Sequence, residues 1–142
     1  MLFKSITAAA IMAATVSGAA VVKRDDPDWT IRDASRDCAA DDSSCTWQFT
    51  IDNNLGDSTY CRFVTTPRDG QGAARSNGGP SDCGVYKGIQ SGWSRQFGDD
   101  KGFTTFGANN YDRGVIGFFS FTDAEVANGQ HVGARQAHVQ RI

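Results

Sequence analysis

The strongest constraint on this fold is the stretch Cys45–Asp52, which reads CTWQFTID. Cys45, Trp47, Phe49 and Ile51 alternate with Thr46, Gln48 and Thr50, the period of two that gives a strand one apolar and one wet face. Trp47 and its neighbours on that parity must face a core, so the remainder of the chain has to supply further strands to cover them. Upstream, Trp29 and Ile31 alternate with Thr30 and Arg32, which predicts a strand over residues 29–36 that pairs with the Trp47 strand. The connection between them, Ala39-Ala40-Asp41-Asp42-Ser43-Ser44, has turn composition.

The later chain continues in the same manner. Residues 52–58 read as a turn, and residues 60–65 resume an extended run with Cys61 and Phe63 on one face. Val85, Ile89, Trp93 and Phe97 share a parity expected to be core, while Gly88 and Gly92 leave gaps that suit a bulge or strong curvature. Residues 103–106 and 115–121 are the next extended runs, with residues 107–114 as the turn between them. The second run is apolar on both parities, with Val115, Phe119 and Phe121 on one and Ile116 and Phe118 on the other, so it is expected either to be packed on both sides or to leave one side exposed for a partner. Thr122 and Glu125 have the spacing of a capping box for one helical turn, and residues 131–142 read as a last strand. The fold class is all-β, a small antiparallel β-barrel or sandwich.

Residues 1–20 place Lys4 ahead of an apolar run and end in Ser17, Gly18, Ala19 and Ala20, the layout of a secretory signal peptide. Residues 21–24 form a short pro-segment ending in the dibasic Lys23-Arg24, so the expected domain is a single unit over residues 25–142. Removing Lys4, Lys23 and Arg24 leaves 11 basic residues against 16 acidic ones, a balance that opposes nucleic-acid binding or a loose hold on an anionic membrane. Secretion also suits the four cysteines, which read as two disulfides supporting a domain near the small end of the range. Of the three pairings, Cys38 with Cys45 and Cys61 with Cys83 are favoured because each closes a local loop. Loops of 8 and 23 residues carry about 2.5 and 3.4 kcal/mol in chain-entropy terms.

Groups for catalysis are few. His131 and His138 stand seven apart in the expected last strand, hence on opposite faces, and Glu125 is the only glutamate. His138, Glu125 and Arg113 are the residue types a small secreted ribonuclease needs, without a recognisable spacing. No nucleophile elbow, HExxH, phosphate loop or calcium loop occurs, and the cysteines lack metal-ligand spacing. The reading is therefore non-enzymatic, with no cofactor and no metal. The binding candidates are Tyr86, Lys87, Gln90, Trp93 and Arg95, with Tyr111 and Arg113 in a turn. Tyr, Trp and Arg are favoured at contact centres, and exposed aromatics stack on sugar rings.

The leader with its Lys23-Arg24 site, then Trp29-Thr30-Ile31-Arg32, Arg36-Asp37-Cys38 and Ser44 through Asp52, resembles small cysteine-containing proteins secreted by filamentous fungi. These include hypersensitive-response-inducing elicitors and effectors of plant pathogens. More distantly the chain is similar to allergen-like secreted β-barrel proteins, a group that pairs its cysteines over longer distances. The resemblance implies an extracellular, non-enzymatic elicitor or effector acting by surface recognition at a host plant. The resemblance implies a host plant protein as partner, the aromatic candidates leave a cell-wall polysaccharide as the other, and the acidic balance and short leader predict neither nucleic-acid binding nor membrane insertion. A carbohydrate- or cell-wall-binding module is the alternative, and a small hydrolase such as a ribonuclease a more remote one.

Overall fold

A computed structural model of the chain describes residues 26–142, so the signal peptide and pro-segment expected over residues 1–24 lie outside the described residues. Eight strands run as β1 (Trp29–Cys38), β2 (Cys45–Asp52), β3 (Ser58–Thr65), β4 (Gly78–Cys83), β5 (Tyr86–Ser94), β6 (Phe103–Asn110), β7 (Val115–Thr122) and β8 (Arg135–Arg141). All pairings are antiparallel, in the order β3-β2-β1-β8-β7-β6-β5-β4. Two meanders, β1–β3 and β4–β8, are thus joined where β1 pairs with β8 through Trp29 with Ala137 and Ile31 with Arg135. The sheet curls into a nearly closed barrel, and the two edge strands β3 and β4 meet along a seam without a hydrogen-bonded ladder. Among the described residues no helix is long and apolar enough to cross a membrane.

The barrel interior is aromatic, as the alternation of β2 requires. Trp47, Phe49 and Ile51 point inward. Trp47 meets Phe106 edge-on with ring centroids 5.0 Å apart, and Phe106 in turn lies 5.3 to 6.4 Å from Phe49, Phe63, Phe119 and Phe121. These offset and edge-on contacts add to the area burial of each ring. Trp29 lies across β7, where a Cβ on Gly117 would come within 2.3 Å of its ring, so only glycine admits the indole there.

The disulfides are Cys38–Cys45 and Cys61–Cys83. The first joins directly opposed residues where β1 and β2 meet the 39–44 turn. The second crosses the seam from β3 to β4, a covalent staple where the ladder is absent. The seam is otherwise tight: a Cβ on Gly78 would come within 2.8 Å of Phe63 and Thr65. The connection over residues 66–77 is pinned by Asp42, which accepts from the Ala73 and Ala74 amides at 3.0 and 2.9 Å, and by Ser76 Oγ, which donates to Gly72 O at 2.8 Å.

Several strands differ from their sequence reading. β4 forms from Gly-Gly-Pro-Ser-Asp-Cys, a composition with no strand signal, because the staple and β5 hold it in place. β6 runs on to Asn110, shortening the expected 107–114 turn to residues 111–114. Gly88 has φ +56 and the β5–β6 register shifts between Lys87 and Gln90, so the parity of β5 changes there. Tyr86 and Ile89 consequently both face inward, whereas Val85 and Phe97 fall outside the strand and are exposed. β7 takes the second of its two expected forms, covered on its inner side only, with Phe118 on its outer face 39% exposed. The Thr122–Glu125 box exists, with the Thr122 amide donating to Glu125 Oε1 at 2.8 Å and the Glu125 amide to Thr122 Oγ1 at 3.2 Å, but it closes a turn rather than a helix. β8 starts at Arg135 and leaves His131 in the preceding loop.

Candidate functional site

A surface recess of about 600 Å³ lies at the barrel end that carries the Cys38–Cys45 bridge. It forms because β5 ends at Ser94 and the chain loops out through Gly98 to Lys101 before β6 begins at Phe103. Phe97 on this loop stacks on Phe103 with centroids 5.7 Å apart and planes at 26°, yet stays 65% exposed. Across the recess stand Arg135 from β8 and Glu125 from the turn after β7, joined as an ion pair. The Arg135 guanidinium also donates to Ser120 O at 2.8 Å and lies 4.7 Å from the Phe121 ring. Aromatic anchors beside an oriented Arg–Glu pair are the makings of a contact centre.

The Arg135 bonds, aided by those of Thr122, hold the Glu125 carboxyl below its usual value against the opposing effect of burial. A folded value below the unfolded one adds stability that is present above the unfolded pKa and is lost as pH falls through the folded one. Glu125→Gln is therefore expected to lower the urea midpoint at neutral pH, with the gap to the wild type closing as acid protonates Glu125. A gap of equal size at both ends of a pH series would contradict this.

The candidate residues read from sequence do not assemble into one site. Tyr86 does not reach the surface: it packs edge-on against Trp29 at 5.0 Å, and burial, then the charges of Asp57 and Asp52, push its hydroxyl up to about 12. Trp93 is half-buried and pinned, its indole N–H donating to Asp123 Oδ2 at 2.9 Å beneath the Arg75 guanidinium at 4.8 Å. Asp123 also accepts from Arg36 at 3.1 Å, so the indole helps to close the same barrel end. Lys87 and Gln90 are exposed on the outer face of β5, and Arg95 is exposed and paired with Asp99 at 3.1 Å. Tyr111 and Arg113 sit at the opposite barrel end. There Tyr111 is 62% exposed, while Arg113 holds Asp26 with bonds of 2.6 and 3.0 Å and keeps that carboxyl low.

Sequence reasoning missed Phe97, Phe103 and Arg135. The parity of Trp93 drew Phe97 into the core, although Arg95-Gln96 before it and Gly98-Asp99-Asp100 after it have loop composition. The would-be nuclease set is separated as well: His138 is exposed on the outside of β8, Glu125 is engaged by Arg135 and Thr122, and Arg113 lies at the far end. Among the described residues one group of three has metal-ligating types, Cys38, Asp42 and Cys45, and both sulfurs are committed to a disulfide.

Fold and surface together define a small disulfide-stapled β-barrel whose prominent features are exposed aromatic and charged contact groups. A family model described as Effector TSP1 matches residues 30–141, so the chain belongs to the Effector TSP1 family. It is similar to a protein named Effector TSP1 from the filamentous fungus Hypocrea virens (strain Gv29-8 / FGSC 10586), 38% identical over 112 residues that cover 79% of this chain and 74% of that protein.

Proposed function

We propose that this protein is a secreted fungal effector that acts outside the plant cell by offering a folded surface to a host protein, without a chemical step. The supporting observation is the Phe97–Phe103 stack beside the Arg135–Glu125 pair. A phenylalanine ring left 65% exposed, stacked on a second ring beside an oriented ion pair, is a costly feature unless a partner covers it. Truncating a ring at such a contact typically weakens binding by about 2 kcal/mol or more, roughly thirtyfold, while a surface substitution leaves stability within about 0.5 kcal/mol. Family membership supports the effector role, and the two disulfides suit an oxidising extracellular setting.

The test is infiltration of purified protein into leaves over a concentration series, scoring cell death and defence-gene induction. Phe97→Ala is expected to keep the native near-ultraviolet circular dichroism and unfolding midpoint and to need at least tenfold more protein for the same response. His131→Gln with His138→Gln is expected to match the wild type. A native-like Phe97→Ala of full potency would remove the recess from the proposal. A folded, inactive double histidine variant would return catalysis or a pH-dependent contact to first place.

A further inference from the structure

On the outer face of β5, β6 and β7, away from the Phe97 recess, lies a shallow groove of about 570 Å³. Its floor holds three glycines, and the fold accounts for two. Gly88 supplies the positive φ of the β5 bulge. Gly107 lies under the Phe118 ring, which a Cβ there would meet at 3.3 Å. Gly92 has neither reason: it sits inside a strand without a positive φ, and a Cβ would find only Asn77 Oδ1, at an ordinary 3.7 Å. Glycine inside a strand costs stability, and where neither backbone nor packing demands it, the space it leaves open is the remaining use.

What that space would accept follows from its walls. None of the residues lining the groove is ionisable, in a chain with 16 acidic and 14 basic residues. Asn77 Oδ1 accepts from the Trp93 amide at 3.1 Å, which leaves the Asn77 NH₂ for a ligand. Asn109 gives its NH₂ to Lys87 O at 3.2 Å and keeps its carbonyl. Gln90 stands exposed between them on β5. Phe118 has one ring face on Gly107 and is 39% exposed, and the Tyr111 hydroxyl reaches the groove mouth, 4.0 Å from the place of a Gly88 Cβ.

We infer that this groove is a binding site for a neutral oligosaccharide. Pyranose rings combine apolar C–H faces, which stack on an aromatic ring, with hydroxyls that both donate to an amide carbonyl and accept from an amide NH₂. The uncharged lining matches that chemistry. A charged peptide or an acidic glycan laid here would lose water from its charges with nothing opposite to replace it. The groove shares no lining residue with the Phe97 recess, so the two sites fail or stand separately.

The experiment is a titration of the isotope-labelled secreted protein, followed by amide NMR, with oligosaccharides of β-linked glucose, xylose and N-acetylglucosamine. Oligogalacturonide serves as the acidic comparator. At least one neutral oligosaccharide is expected to shift the Gly88, Gly92 and Gly107 amides and the Gln90 and Asn109 side-chain amides saturably. Gly92→Leu, which fills the groove from its floor, should weaken that binding at least tenfold while keeping a native circular dichroism spectrum. Gln90→Ala, at an exposed position with no fold to lose, should weaken it several-fold and carries the test should Gly92→Leu misfold. Absence of shifts with all three neutral series, binding confined to oligogalacturonide, or undiminished binding by folded Gly92→Leu would each overturn the assignment.

Discussion

Trp47→Ala is expected to lower unfolding stability by about 3 to 5 kcal/mol, enough to leave a domain of this size largely unfolded in moderate urea. The indole is 2% exposed and touches Phe106 and Phe121 at 5.0 and 5.9 Å, with the Arg36 guanidinium 5.4 Å from its centroid. Its removal opens a void in the middle of the aromatic interior, where neighbouring rings cannot all move inward without leaving their own contacts. Arg36 would also lose the ring beneath it while still tied to Asp123 at 3.1 Å, which loosens the barrel end that carries the Phe97 recess. Urea unfolding followed by near-ultraviolet circular dichroism checks the magnitude. Phe118→Ala, an equally aromatic loss on the outer face, is the comparison and should cost no more than about 1 kcal/mol. Equal losses for the two would mean that the interior does not depend on Trp47 as the packing implies.

The contrast between Trp47 and Phe97 shows what the sequence made legible. β2 has an unbroken alternation over eight residues, and an unbroken strand admits one reading of which side is buried. The same parity rule applied from Val85 to Phe97 failed at both ends, because the bulge at Gly88 changes the face and the strand stops at Ser94. The glycines that hinted at a bulge could not say on which side of it the period would resume. β4 was hidden for a different reason: its strand geometry comes from the Cys61–Cys83 bridge and from β5, both distant in sequence, and not from local preference. The Arg135–Glu125 pair is likewise a product of how β8 and the turn after β7 meet, and the nine residues between them carry no periodic signal for it. Local alternation thus located the core, while the sites had to wait for the topology.

Replacing both Cys61 and Cys83 by alanine is expected to cost about 3.4 kcal/mol, the chain-entropy value for a bridge between residues 22 positions apart. The loss should also be concentrated in one place. Everywhere else neighbouring strands are joined by backbone hydrogen bonds, and at the β3–β4 seam the bridge stands in for them. Cys38–Cys45 provides the internal control, because it lies at the end of a β1–β2 ladder that holds its strands together regardless, and its shorter loop carries about 2.5 kcal/mol. Hydrogen exchange should therefore show the amides of β4 and of the 66–77 connection losing protection in the Cys61/Cys83 variant while β1 and β2 keep theirs. In the Cys38/Cys45 variant β4 should stay protected. Opening at the seam would bare the edges of β3 and β4 together with the breaker-rich connection, making that stretch the first point of attack for a protease. Limited proteolysis should accordingly cut the Cys61/Cys83 variant within residues 66–77 before any other site. Uniform loss of protection across all eight strands, or first cleavage elsewhere, would show that the barrel does not open at the seam but unfolds as a whole.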